Sequence, residues 1–230
     1  MTGEQIPYFI GNDNVILTLY ILSLLAGAYT LMRDGSSIVE RIKSMFYYSG
    51  QSTPYNNRTG ISKTGSFTLY TNTILYATII TFAHLQESIP AEERGNITLF
   101  VAIALVFIIF LAIKYIIYEI INRILFSGKQ AGEWSLSYFF TIKISCILLL
   151  PLATAPILLP TLSNTIVWWY LIVIGTIYTI MLSLRCFNII FTETFYFLDI
   201  FLYLCEIELL PLILLWHAIE NTNLFLMIKF

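Results

Sequence analysis

Charge is what this chain has least of. Asp, Glu, Lys and Arg make up 11% of its 230 residues, against about a quarter in soluble domains. A soluble protein of this length can bury a large core, but its surface still needs charge. The shortage therefore excludes an ordinary soluble domain. No basic stripe with interleaved aromatics is present and the net charge is −2, so nucleic-acid binding is not indicated. Cysteine is scarce too: Cys146, Cys186 and Cys205 all fall in apolar stretches. An odd number without a CxxC pair suggests neither a disulfide framework nor a zinc site.

The usual signatures of catalysis are missing. There is no HExxH, GxSxG, P-loop or GxGxxG. Glu92-Glu93 resembles the paired glutamates of CAAX-type membrane proteases, but it lies in a loop and lacks the later histidines that chemistry requires. The two histidines, His84 and His217, have no Cys or carboxylate at ligand spacing. No metal or other cofactor is expected. The N-terminal stretch has no Lys or Arg, so it lacks the positive n-region of a cleavable signal peptide. The first apolar block is expected to stay as an anchor.

What the chain has in abundance is apolar sequence in long blocks. Hydrophobic residues reach 58% and mean hydropathy is +0.80. Six blocks, at about 14–32, 66–85, 97–118, 138–159, 166–187 and 195–216, approach the roughly 20 residues a spanning helix requires. The expected fold is all-α, a single polytopic transmembrane bundle over 1–230 with about six spanning helices. Block two is the least apolar, with Thr68, Thr71, Asn72, Thr73, Thr78 and Thr81. A shallow block two would leave five spans.

Between blocks one and two, Arg33-Asp34-Gly35 reads as a polar stop. The following SIVERIKSMFYY places Ile38, Ile42, Met45 and Phe46 at helical spacing. That pattern suits a short amphipathic helix on the membrane surface or packed on other protein. Arg33, Arg41, Lys43, Arg58 and Lys63 make this the most basic connection, and a candidate contact surface for a membrane-protein partner besides the lipid bilayer. Arg123 and Lys129 lie in the connection after block three, and Arg185 ends block five; the opposite side has only Arg94 and Lys229. By the positive-inside rule the richer connections are cytoplasmic and both termini periplasmic.

Ionisable residues inside the blocks are the candidate functional groups, because charge in a membrane is costly and marks polar interiors. Lys114, Lys143 and Arg185 all fall toward the cytoplasmic side. Block six brings Asp199, Glu206 and Glu208 to meet them. Asp199 and Glu206 are seven apart and share a helix face, whereas Glu208 points elsewhere. Pro211 frees a carbonyl one turn earlier. These six residues form either an ion-pair network that fixes helix neighbours or the lining of a path for a proton, ion or small solute.

The run LYLCEIELLPLILL, Leu202 to Leu215, resembles the closing signature of a Bacteroidota multi-pass membrane family catalogued as a domain of unknown function. Lys114 late in block three, LLLPLATAP from Leu148 to Pro156, and Arg185 agree with that resemblance. It implies an inner-membrane location and no established activity. The expected role is a scaffold or accessory subunit of an envelope complex. A small transporter or proton-coupled channel is the alternative, and a membrane-embedded enzyme stands third.

Overall fold

Three short polar side chains set the starts of three helices. Asp13 Oδ1 accepts from the backbone N–H of Val15 at 2.9 Å and opens α1, Asn14–Phe46. Ser62 Oγ accepts from Gly65 N–H at 3.0 Å and opens α2, Lys63–Ser88. Asn96 Oδ1 accepts from Thr98 N–H at 2.9 Å and opens α3, Ile97–Leu125. Each satisfies a donor that the first turn leaves without a partner. α4, Gly128–Leu158, and α5, Asn164–Ile190, complete the set. The computed structural model describes residues 10–46, 61–88, 96–125, 128–159, 164–190 and His217. No strand occurs among them. The last apolar block lies outside the described residues apart from the nearby His217.

Three of the helices are long and apolar enough to cross a membrane, over Asn14–Lys43, Ile97–Ile120 and Tyr138–Leu158. α5 contributes a shorter apolar stretch, Trp169–Met181. The outer faces agree with those lengths. Leu25, Tyr29 and Met32 on α1, Ile109 and Ile116 on α3, and Ile172 and Ile180 on α5 are all exposed. Ser23, Thr30, Asn72, Thr73, Thr78, Gln86, Lys114 and Thr141 are buried. A soluble protein does not present so much apolar surface while sequestering polar groups. In lipid the same arrangement is the favourable one.

α2, the least apolar of the blocks, is the central helix. It packs against α1, α3 and α4, and most extensively against α4. Its hydroxyls and amide need partners that lipid cannot provide, so burial among other helices is where they are stable. Thr78, fully buried, returns its hydroxyl to the Ile74 carbonyl at 2.8 Å.

The expected separate surface helix after a polar stop is corrected by α1. That helix runs unbroken for 33 residues, about 50 Å at 1.5 Å per residue, through Arg33, Asp34 and Gly35. A single helical Gly costs only about 1 kcal/mol, and Asp34 and Ile38 are both buried on the packed side. Asp34 meets Ser62 at the head of α2. Two turns later Arg41 lies over Phe140, next to Phe139, whose carbonyl takes the hydroxyl of Tyr70 well inside α2. Near its end α1 thus reaches the start of α4 through the Arg41 side chain.

Candidate functional site

The seam between α1 and α2 is built on Ser23, Gly27, Thr30 and Asp34, whose spacing keeps them on one helix face. The Ser23 carbonyl accepts from Asn72 Nδ2 at 3.0 Å. A Cβ at Gly27 would stand 2.9 Å from that same nitrogen, so glycine is what lets the amide approach. The Ser23 hydroxyl donates to the Tyr20 carbonyl at 2.7 Å and stands 3.4 Å from the Tyr76 hydroxyl. The Tyr20 and Tyr76 rings lie 6.2 Å apart. Small residues at a helix interface with a polar side chain reaching across are characteristic of membrane helix pairs.

At one end of this seam Asp34 closes onto the start of α2. Its Oδ2 accepts from Ser62 N–H at 3.1 Å and from Ser62 Oγ at 2.5 Å. Ser62 thus caps α2 while donating its own proton to Asp34. The carboxylate also stands at the positive end of the α2 dipole, where negative charge is favoured. A Cβ at Gly65 would collide with Asp34 Oδ2.

On its other side α2 is joined to α4. Tyr70 hydroxyl reaches the Phe139 carbonyl at 3.4 Å. Thr73 Oγ1 lies 2.9 Å from its own Leu69 carbonyl and 3.2 Å from that of Ile142. α4 in turn is tied to α5, since Tyr170 donates to the Leu148 carbonyl at 3.2 Å. The carbonyl that Pro151 leaves without a helical N–H is the neighbouring one, at Ile147.

Three cations of the described residues, Arg41, Lys114 and Lys143, lie against aromatic rings. Lys114, 4% exposed, places Nζ 5.6 Å from the ring centroids of both Phe110 and Tyr138. Tyr138 is stacked on Tyr118 at 3.8 Å, and both rings are fully buried. Lys143 Nζ lies 5.0 Å from the Tyr70 ring, and Arg41 Cζ 5.5 Å from the Phe140 ring. The faces of aromatic rings are electron-rich and attract cations most strongly where water is excluded. Arg41, Tyr70, Lys114 and residues 138–143 of α4 therefore form one cation–aromatic layer toward the end of the bundle where α1 finishes and α2 begins.

The structure brings Lys114 and Lys143 into this layer and adds Arg41, which the sequence grouped with the basic connection. Arg185 falls on α5, its side chain outside the described residues, as are Asp199, Glu206 and Glu208. Arg33, Lys43 and Lys63 are exposed, Arg41 is half-buried, and Arg58 lies outside the described residues. His217 is exposed. Sequence reasoning missed Asp34, taken as part of a stop. Ser62 ahead of a helix start, and small residues at 23, 27 and 30, were the available signals.

Among the described residues, an all-helical bundle with exposed apolar faces, three helices long and apolar enough to cross a membrane, an inward-facing polar seam and a buried Lys114 is compatible with a membrane protein. The chain belongs to the family described as "Domain of unknown function (DUF4271)", whose model matches residues 11–219. Neither the curated proteins nor the solved structures contain a significant match.

Proposed function

We propose that the chain is a polytopic inner-membrane protein, crossing six times with both termini periplasmic, that serves as a scaffold or accessory subunit of an envelope complex. The observation that supports this reading is the use made of its interior polar groups. Asn72, Tyr70, Thr73 and Tyr170 each reach a backbone carbonyl of a neighbouring helix, and Asp34 clasps Ser62. Groups used in this way fix helix positions. The exposed Arg33, Lys43 and Lys63, with Arg58, would form the cytoplasmic contact surface. Affinity purification of the full chain in mild detergent tests the proposal. A stoichiometric protein partner, lost when those four cations become glutamine, supports it; a chain that purifies alone at every detergent strength refutes it.

A second reading is favoured by the burial of Lys114 and the position of Lys143. In a small transporter or proton-coupled channel, Lys114, Lys143 and Arg185 would face Asp199, Glu206 and Glu208 along a polar path. Uptake or proton flux by the purified chain in liposomes separates this reading from the first.

A further inference from the structure

The contact between Asp34 and Ser62 also sets two exposed cations at one level. Arg33 precedes Asp34 on α1 and Lys63 follows Ser62 on α2, so the bonds joining Asp34 to Ser62 bring both to the same end of the helix pair. Both are exposed. Among the described residues neither has a carboxylate partner, and Asp34, the nearest acid in sequence, is turned onto Ser62. Each cation stands one turn from an exposed aromatic ring on its own helix. Tyr29, four residues before Arg33, is 65% exposed, and Phe67, four residues after Lys63, is 74% exposed. Residues four apart share a helix face. Because α1 and α2 run in opposite directions here, both rings lie about 6 Å deeper in the bundle than their cations. We infer that Arg33 and Lys63, with Tyr29 and Phe67 beneath them, form a binding patch for the phosphates of anionic phospholipids. This goes beyond the scaffold reading and does not depend on it.

The order of the groups selects a lipid. A phospholipid carries its charge at the surface and its apolar chains below, and the patch repeats that order on two helices, cation above ring. Met32, 88% exposed, adds apolar surface beside Arg33. Aromatic rings at the membrane–water boundary, with cations reaching outward past them, anchor spanning helices. Arg33 follows directly on the apolar run 14–32, where the headgroups around a spanning α1 would lie, and cations at that depth attract anionic lipid. An acidic protein segment would answer the two charges and leave both rings uncovered. The pair is also held in advance. Asp34 is buried, and the approach of α1 to Gly65 leaves no room for a Cβ, so the two helix ends are fixed before a lipid arrives. Such preorganisation lowers the cost of binding.

Native mass spectrometry of the delipidated full chain, given equal amounts of phosphatidylglycerol and phosphatidylcholine, tests the patch. The unmodified chain should retain phosphatidylglycerol preferentially. Arg33→Gln and Lys63→Gln should each lower that preference about fivefold, the weight of one cation near an anionic surface. Arg33→Lys should preserve it. Lys43→Gln, a change at an exposed cation further along α1, should leave it unaltered. Equal retention of the two lipids by the unmodified chain would overturn the assignment whatever the variants do. A loss in Lys43→Gln as large as in Arg33→Gln would also overturn it, by showing a diffuse basic surface in place of this patch. Displacement by inorganic phosphate at matching concentration would assign the cations to a soluble anion instead. Loss of a co-purifying protein in Arg33→Gln and Lys63→Gln, with lipid retention unchanged, would assign them to a protein partner. The three glutamine positions are exposed and leave Asp34 and Ser62 in place, so the variants should accumulate as the unmodified chain does.

Discussion

Asp34, two-thirds of the way along α1, accepts both the backbone N–H and the hydroxyl of Ser62, the residue that caps α2. One carboxylate thereby joins two helices separated by a basic connection and neutralises the exposed donors at the head of the more polar one. Hydrogen bonds to a buried charge contribute about 1.5–3 kcal/mol. Asp34→Ala should therefore destabilise the folded chain by about 2 kcal/mol, and Ser62→Ala by about 1 kcal/mol as a lost cap. Denaturation in mixed micelles measures both. The double variant should lose less than the sum of the two, because the Ser62–Asp34 hydrogen bond is counted in both, while the lost cap on Gly65 N–H still adds to Asp34→Ala.

The glycines of the α1–α2 seam should tolerate little. Gly27→Leu pushes against Asn72 and separates the helices, with an expected loss of about 2 kcal/mol from overpacking. Gly175→Leu, at an exposed position of α5 with open space around it, should be nearly neutral. Thermal unfolding of the two variants side by side checks the contrast.

Hydrogen bonds between membrane helices are individually modest, about 0.6 kcal/mol on average. Tyr70→Phe and Thr73→Val should each show a loss of that order. Thr73→Val should be the smaller, because its hydroxyl is closer to its own Leu69 carbonyl than to Ile142. Asn72→Leu should cost more than either, since it removes the amide bond across the seam and sets a branched apolar side chain against Gly27. Accumulation in the membrane fraction and melting temperature should rank the three in that order.

Lys114 provides a test of how the buried cations are used. If Lys114 and Glu206 form a structural pair, Lys114→Met and Glu206→Gln should each reduce folded protein, and the double variant should recover part of it. If they line an ion path, both singles should accumulate normally while flux into liposomes falls. Normal accumulation with unchanged flux would remove this pair from both readings.

How much of this was legible from the chain depends on the kind of interaction. Blocks near 66–85, 97–118, 138–159 and 166–187 stand out because sustained apolar sequence is a local property; α2, α3 and α5 contain theirs, and α4 covers its block up to Leu158. Their ends were less visible: α3 and α4 extend into polar sequence that no hydropathy reading marks as helical. Arg33-Asp34-Gly35 misled because a charged pair before glycine has the composition of a stop. Its partner Ser62 lies 28 residues away, beyond any local pattern. Lys114 and Lys143 were recognisable as unusual, since charge in an apolar block is conspicuous. Their aromatic neighbours were not, because Phe110, Tyr118, Tyr138 and Tyr70 look like ordinary apolar filling until the helices are packed.

The bundle turns apolar faces outward and keeps its polar groups inside among an apolar core, with α2 at its centre. Site-directed spin labelling of the chain in liposomes tests it most directly, through collision with oxygen dissolved in the bilayer. Labels at Leu25 and Ile109, both exposed, should be mobile and strongly accessible. A label at Thr78, fully buried on α2, should be immobilised and shielded. A Thr78 label as accessible to oxygen as one at Ile109 would place α2 against lipid and contradict the account.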